Sequence, residues 1–214
     1  MYNSSSIATE NALHSCLQIM MKSNSRILVL LAHPNLSRSR INLRLRNSIN
    51  NIADITVHDL YDAYPDFYID TNHEQGLLLQ HDLIVFQHPL YWYSTPPLLK
   101  LWQDVVLCAG FAYGEKGNAL QGKDLLQVVS TGGKAQAFQA DGYNKFTIKE
   151  LLAPMIATAN MCGLRYLNPL VFHHSFDATD EMISAHACSY QTMLMNYKPS
   201  DVEAMNSTGK IDGK

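Results

Sequence analysis

Charge is scarce in this chain, and so are the patterns that mark disulfide, metal or nucleotide chemistry. Only 16% of residues are charged, and 16 basic against 19 acidic side chains leave a net charge of -3. Without a basic patch or a polybasic run there is no electrostatic footprint for nucleic acid and no direct attraction to anionic lipid. The four cysteines, Cys16, Cys108, Cys162 and Cys188, are scattered with no CxxC spacing, which excludes a disulfide framework and a finger-type zinc site and points to reduced thiols. No apolar run approaches the roughly 20 residues that a spanning helix needs. GxGxxG and GxxxxGK[ST] are both absent, so neither a standard dinucleotide fingerprint nor a P-loop is supported. GxSxG is missing too, and Ser94, His88 and Asp104 stand in no triad order. His173 and His174 are adjacent at a strand end, where neighbours point to opposite faces, so no metal site is predicted.

What is present is core-forming material. Hydrophobic residues make up 47% of 214 residues, ample for one domain. Residues 1–25 are rich in Ser and Asn and lack the basic start and unbroken apolar centre of a secretory signal. They read as an extension, with Met20 or Met21 as an alternative start. The domain is placed at 26–196 and a polar tail at 197–214.

Inside the domain, strand-like and helix-like segments alternate. Arg26–Ala32 (RILVLLA) is a continuous apolar run of strand length, as expected of a strand buried on both faces. Further strands are predicted at Ile52–Leu60, Asp82–His88, Asp124–Thr131 and Arg165–His173, and helices at Ser39–Asn50, Glu74–Gln80, Pro97–Cys108, Thr147–Cys162 and Thr179–Met195. Pro154 predicts a kink or a later start in the fourth helix. Met155, Met161 and Cys162 on that helix read as core, and Lys100 and Trp102 on the third as packing residues. This order predicts an α/β domain with a parallel sheet covered on both faces.

Ligands of such sheets bind outside the carboxyl ends of the strands, where strand order reverses. Three loops qualify. The first, AHPNLSRSRIN, brings His33, Ser37, Arg38, Ser39, Arg40 and Asn42 to a helix N-terminus, a seat for a phosphate monoester or simply a helix capped by Ser39. The third, STGGK, removes side chains at Gly132 and Gly133 so that backbone can approach a flat ligand. Lys134 beside it reads as solvated more readily than as a contact for an NADPH phosphate. The second places Tyr91, Trp92 and Tyr93 where no core requires them, as an edge cover, a dimer patch or a lining for a planar ring. Taken together the three loops describe a site for flavin mononucleotide.

The segments LLAHPNLSRSRIN (30–42), VHDLYDAYPDFYID (57–70), the run from Glu74 to Gly114 containing QHPLYWYSTPPLLKLW, NALQGKDLLQVVSTGG (118–133) and MCGLRYLNPLVF (161–172) resemble the flavodoxin-like NAD(P)H:quinone oxidoreductases. They are most similar to the ancillary subunits of bacterial glutathione-regulated potassium-efflux systems. The resemblance spans about residues 26–195.

It implies a flavodoxin-like three-layer sandwich with a five-stranded parallel sheet in order 2-1-3-4-5. It also implies FMN in preference to FAD, NADH or NADPH as co-substrate, hydride passage from nicotinamide to flavin to quinone, and a homodimer. Its members imply a cytoplasmic protein, peripheral on the inner membrane when it serves a potassium-efflux antiporter. Carried over by position, His33, Ser39, Arg40, Ile41 and Asn42 match the flavin phosphate and ribityl loop. Pro89, Leu90, Tyr91, Trp92 and Tyr93 match the loop meeting the isoalloxazine, and Ser130, Thr131, Gly132 and Gly133 the loop facing its pyrimidine edge. A Tyr and a His that handle protons in the mammalian-type enzymes fall on Phe138 and Asn144, so that pair is not kept. Tyr143 is the nearby substitute, and the catalytic acid stays unassigned. Two other readings stand beside the reductase. One is a regulatory subunit that binds the antiporter without catalysis. The other is a flavodoxin-like electron carrier, which the low net charge disfavours.

Overall fold

The computed structural model describes residues 25–199. The extension predicted at 1–25, but for Ser25, and the tail beyond Pro199 lie outside the described residues. Strands are β1 (Ile27–Leu31), β2 (Ile55–Asp59), β3 (Leu83–Pro89), β4 (Asp124–Ser130), β5 (Arg165–Tyr166) and β6 (Leu170–Phe172). Helices are α1 (Arg40–Ile49), α2 (Leu60–Ala63), α3 (Thr71–Gln80), α4 (Pro97–Val106), α5 (Ile148–Leu151), α6 (Ala153–Met161) and α7 (Asp180–Met195).

All strand pairs are parallel, in the order β2-β1-β3-β4, with β5 and β6 both on the far side of β4. Side-chain alternation along the strands divides the core in two. Leu28, Leu30, Ile84, Phe86 and Leu125 face one layer with Leu78, Leu98, Trp102 and Met155. Ile27, Val29, Leu83, Val85, Leu126 and Val128 face the other with Leu45, Ile183 and Tyr190. Because β1 and β3 are buried throughout, β1 is an unbroken apolar run rather than an alternating one, and β3 is apolar from Leu83 to Phe86 before the buried polar pair Gln87 and His88.

Several predicted boundaries move, each for a local reason. The second strand starts at Ile55 rather than Ile52, after left-handed Asn51 and Asp54 turn the chain. The helix read at Glu74–Gln80 begins at Thr71, capped by the Asp70 carboxylate, which accepts from the His73 N–H at 3.0 Å. The fourth helix breaks at Leu152, two residues before Pro154, into α5 and α6. Met161 is a correction: at the end of α6 it is 66% exposed, whereas Met155 and Cys162 are buried as read.

The last strand is not the continuous segment Arg165–His173. Tyr166 pairs with Leu125 and Leu170 with Val128, so three residues on one strand oppose two on the other. Pro169 lies in that bulge, where it can offer no N–H to the ladder.

Candidate functional site

The carboxyl ends of β1, β3 and β4 open onto a cavity of about 820 Å³. From the first loop, His33, Ser39, Arg40 and Ile41 line it; from the second, Pro89, Leu90, Tyr91, Trp92 and Tyr93; from the third, Ser130, Thr131, Gly132 and Gly133. Tyr143 also lines it. Asn42 does not. It is 1% exposed, and its Nδ2 donates to Ser130 Oγ at 2.9 Å, tying the first turn of α1 to the end of β4. Gln87 Nε2 donates to the Asn42 carbonyl at 3.0 Å, so β3 braces the same turn. Asn42 thus supports the wall from behind.

At the first loop the cap read from the sequence is present, beside main-chain donors that it leaves open. Ser39 Oγ accepts from the Asn42 N–H at 3.1 Å, while the N–H groups of Arg40 and Ile41 make no main-chain hydrogen bond among the described residues and Ser39 itself lines the cavity. Arg38 lines the cavity with no carboxylate in ion-pair range among the described residues. The Arg40 guanidinium instead reaches Asp180 at the start of α7, at 2.8 Å. His33 is buried, and desolvation pulls its pKa below the ordinary histidine value against a main-chain hydrogen bond that raises it. Its Nδ1 accepts from the Asn35 N–H at 3.1 Å, which leaves the proton of the neutral ring on Nε2.

The aromatic loop is a tight reversal. Tyr91 and Ser94 exchange backbone hydrogen bonds at 3.1 and 3.0 Å, with Trp92 (φ 46°) and Tyr93 (φ 64°) at the two central positions. Such turns favour Asn-Gly, and bulky side chains in the left-handed region are strained. The turn drives Trp92 to 92% exposure on the cavity's lip. Tyr93 Oη donates to Asn144 Oδ1 at 3.1 Å, so the second and third loops are tied across the opening.

In the third loop Thr131 Oγ1 donates to the Gly133 carbonyl at 2.9 Å and stands 3.2 Å from His173 Nδ1. That hydroxyl holds the shape of the loop. Among the described residues the N–H groups of Gly132 and Gly133 have no main-chain partner. A Cβ at Gly132 would meet Phe176 Cε2 at 2.4 Å, and one at Gly133 would meet the Phe138 ring at 3.1 Å. A side chain at Gly132 would thus displace the exposed Phe176 ring, and one at Gly133 would press on the buried Phe138 ring. Lys134 is exposed and does not line the cavity.

A family model described as a flavodoxin-like fold matches residues 25–194. The chain belongs to the flavodoxin-like family. Among relatives of this flavodoxin-like protein, the glutathione-regulated potassium-efflux system ancillary protein KefG of Serratia proteamaculans is 44% identical over 179 residues, 84% of this chain and 98% of that one. Among solved structures, the general stress protein 14 of Treponema denticola, in complex with FMN, is 40% identical with TM-score 0.76, covering 79% of this chain and 98% of that one. An NADPH-quinone reductase from P. pentosaceus is 39% identical with TM-score 0.74, covering 81% and 99%.

The flavodoxin-like core carries two features that sequence reading missed. Asn35, Ala137, Ser175 and Phe176 complete the cavity lining, together with Phe138 and Asn144, the positions on which the mammalian-type Tyr and His fall. Ser175 and Phe176 follow the last strand, a fourth strand-end loop that the search rule would have flagged. The second feature is Glu74, fully buried beneath α4. Its Oε1 accepts from Tyr64 Oη at 2.6 Å and lies 2.7 Å from His58 Nε2, and its Oε2 accepts from Trp102 Nε1 at 2.7 Å. Burial alone would raise its pKa, but these hydrogen bonds outweigh it and hold the carboxyl below the ordinary value. With His73, the atoms of His58 and Glu74 lie close enough to surround a cation. Both carboxylate oxygens already have donors, so the arrangement is that of a buried anion satisfied by the protein.

His88 cannot serve a triad. It is fully buried in β3, with Nδ1 3.0 Å from the Pro89 carbonyl and Nε2 3.1 Å from Gln127 Nε2, and burial lowers its pKa to about 4. Among the described residues no helix is long and apolar enough to cross a membrane.

Proposed function

We propose that this chain is an FMN-dependent NAD(P)H:quinone oxidoreductase. The observation that carries the reading is the two-ended cavity at the switch point of the sheet. One end offers Arg38 and unbonded N–H groups of α1; the other offers aromatic rings and two bare glycines. A phosphate monoester fits the first end and a planar ring the second, which is the outline of FMN. The solved relative in complex with FMN supports the same assignment.

Bound here, FMN would supply a two-electron relay between NAD(P)H and a quinone, with one further proton completing the hydroquinone. This chain's residues bind and orient. Arg38 and the N–H groups of Arg40 and Ile41 would hold the phosphate. His33, with its ring proton on Nε2, lines the same cavity. The N–H groups of Gly132 and Gly133 would donate to the pyrimidine edge, where negative charge gathers on reduction. The Thr131 hydroxyl keeps those donors in place through Gly133. No side-chain nucleophile is required. Tyr143, 89% exposed at the lining, is the candidate for proton transfer.

The purified protein is expected to be yellow, or to take up added FMN, and to bleach with NADH or NADPH. A colourless protein that takes up no FMN would overturn the reading.

The likeness to KefG supports a further assignment, that the protein acts at the cytoplasmic face of a glutathione-regulated potassium-efflux antiporter. Co-expression and pull-down from membranes test it, and consistent absence from the membrane fraction counts against it. Exposed Trp92 and Tyr68 support a homodimer; a purely monomeric sedimentation profile would refute that.

A further inference from the structure

After β6 the chain reads His173-His174-Ser175-Phe176-Asp177 and folds back onto the third loop. The His174 N–H donates to the Gly133 carbonyl at 2.9 Å, and the Ser175 N–H to the Thr131 carbonyl at 3.0 Å. His174 takes a left-handed backbone (φ 60°), and its Nε2 meets Asp177 Oδ2 at 2.7 Å, closing the turn. Three interactions thus fix a five-residue turn whose outermost side chain is Phe176.

That side chain is 82% exposed, an unfavourable setting for a phenyl ring, yet it is not loose. The ring lies on the bare Cα of Gly132, so close that a Cβ there would stand 2.4 Å from Cε2. Trp92 lines the same cavity from the aromatic turn. Among the described residues, the cavity lining contributed after Ser130 in the sequence has no charged side chain, whereas both lining arginines lie in the first loop. A slot rimmed by rings and amides, without a cation, suits a flat uncharged molecule and offers nothing to a phosphate.

We propose that Phe176 is the wall of the electron-acceptor slot and sets its preference for flat, uncharged two-ring quinones over single-ring ones. This rests on the flavin-dependent reading above. A second ring extends far enough to lie against the phenyl group, and a single ring loses that contact.

The test uses FMN-loaded wild type beside Phe176→Ala, Phe176→Leu and Phe176→Tyr. Binding of 1,4-naphthoquinone to the oxidised protein is read from quenching of tryptophan emission. KM and kcat are measured with 1,4-naphthoquinone and 1,4-benzoquinone. In the Ala and Leu variants the naphthoquinone Kd and KM are expected to rise about 5- to 10-fold, and the naphthoquinone-over-benzoquinone preference in kcat/KM to fall by a similar factor. Phe176→Tyr should restore both, and FMN retention should stay within about 2-fold in all three, the span left by a lost contact of a few tenths of a kcal/mol. An unchanged naphthoquinone Kd in the Ala and Leu variants would overturn the proposal. So would an equal loss for both quinones, or a loss of FMN, since either means that the ring merely supports the loop. Wild type that takes up no FMN overturns the flavin reading itself, a failure visible before any variant is made.

Discussion

The two ends of the cavity are built by different means. The anion end is made of backbone: a helix start capped by Ser39, braced from beneath by Asn42, Gln87 and Ser130, with a buried neutral His33 beside it. The aromatic end is made of side chains, with Trp92, Tyr143 and Phe176 almost fully exposed and the turn beneath Trp92 strained. The first end suits a permanent ligand held in one pose, because its donors cannot rotate away. The second suits molecules that come and go, because rings accept many flat partners. A flavin spanning both ends would thus be held at the first while its ring meets the incoming substrate at the second.

The largest expected effect breaks the support under the aromatic end. Trp102 sits on α4, directly after the aromatic loop, and is held by Glu74. Replacing Glu74 with Ala strands two buried donors, Tyr64 and Trp102, beside the half-buried His58 and should cost about 3–5 kcal/mol of unfolding free energy, read by urea denaturation. A loss below about 1 kcal/mol would mean that water replaces the carboxylate.

The next breaks the anion end without unfolding it. Ser39→Asp keeps an N-cap but sets a carboxylate in the phosphate seat. FMN affinity should fall about 100-fold by equilibrium dialysis while stability stays within about 0.5 kcal/mol. Unchanged affinity would move the phosphate elsewhere.

A third test concerns pH. His88 is buried neutral, its pKa lowered from 6.5 to about 4, so the unfolded chain binds the proton more readily than the folded one. Stability is then complete above the unfolded value and is lost as pH falls from 6.5 towards 4, by about 2 kcal/mol between pH 6.5 and 5. His33 and His173, also lowered by burial, act in the same direction. Urea midpoints across that range should decline on the acid side, and a flat profile would contradict the burial of His88.

The smallest effect relaxes the aromatic turn. Trp92→Asn with Tyr93→Gly should stabilise the fold by about 1 kcal/mol, since both positions favour left-handed residues, while weakening quinone binding. Stabilisation with undiminished quinone affinity would detach the strain from the site.

Much of this was legible beforehand. The unbroken apolar run of β1 marked a buried parallel strand, and the strand-end rule located three loops that converge on one cavity. What escaped needed long-range information. Glu74 reads as a solvated helix residue until His58, Tyr64 and Trp102, from three other elements, surround it. Phe176 enters the lining only because left-handed His174 folds the chain back over Gly132. Asn42 sits one turn too deep, because its cap partner Ser39 faces the cavity in its place. Met161 fits the apolar pattern of its helix but falls on the outer side at the end of α6.

The divided last strand bears on how the molecule behaves in a crowd of its own copies. A long, regular edge invites another chain to add a strand and begin a fibre. Here a strand arriving at the β5–β6 edge would find segments of two and three residues, out of step by one, with Pro169 between them offering no hydrogen to share. The sheet cannot be extended in register on that side, which leaves the exposed rings around the cavity free to attract flat ligands without a neighbouring edge that could turn a chance encounter into aggregation.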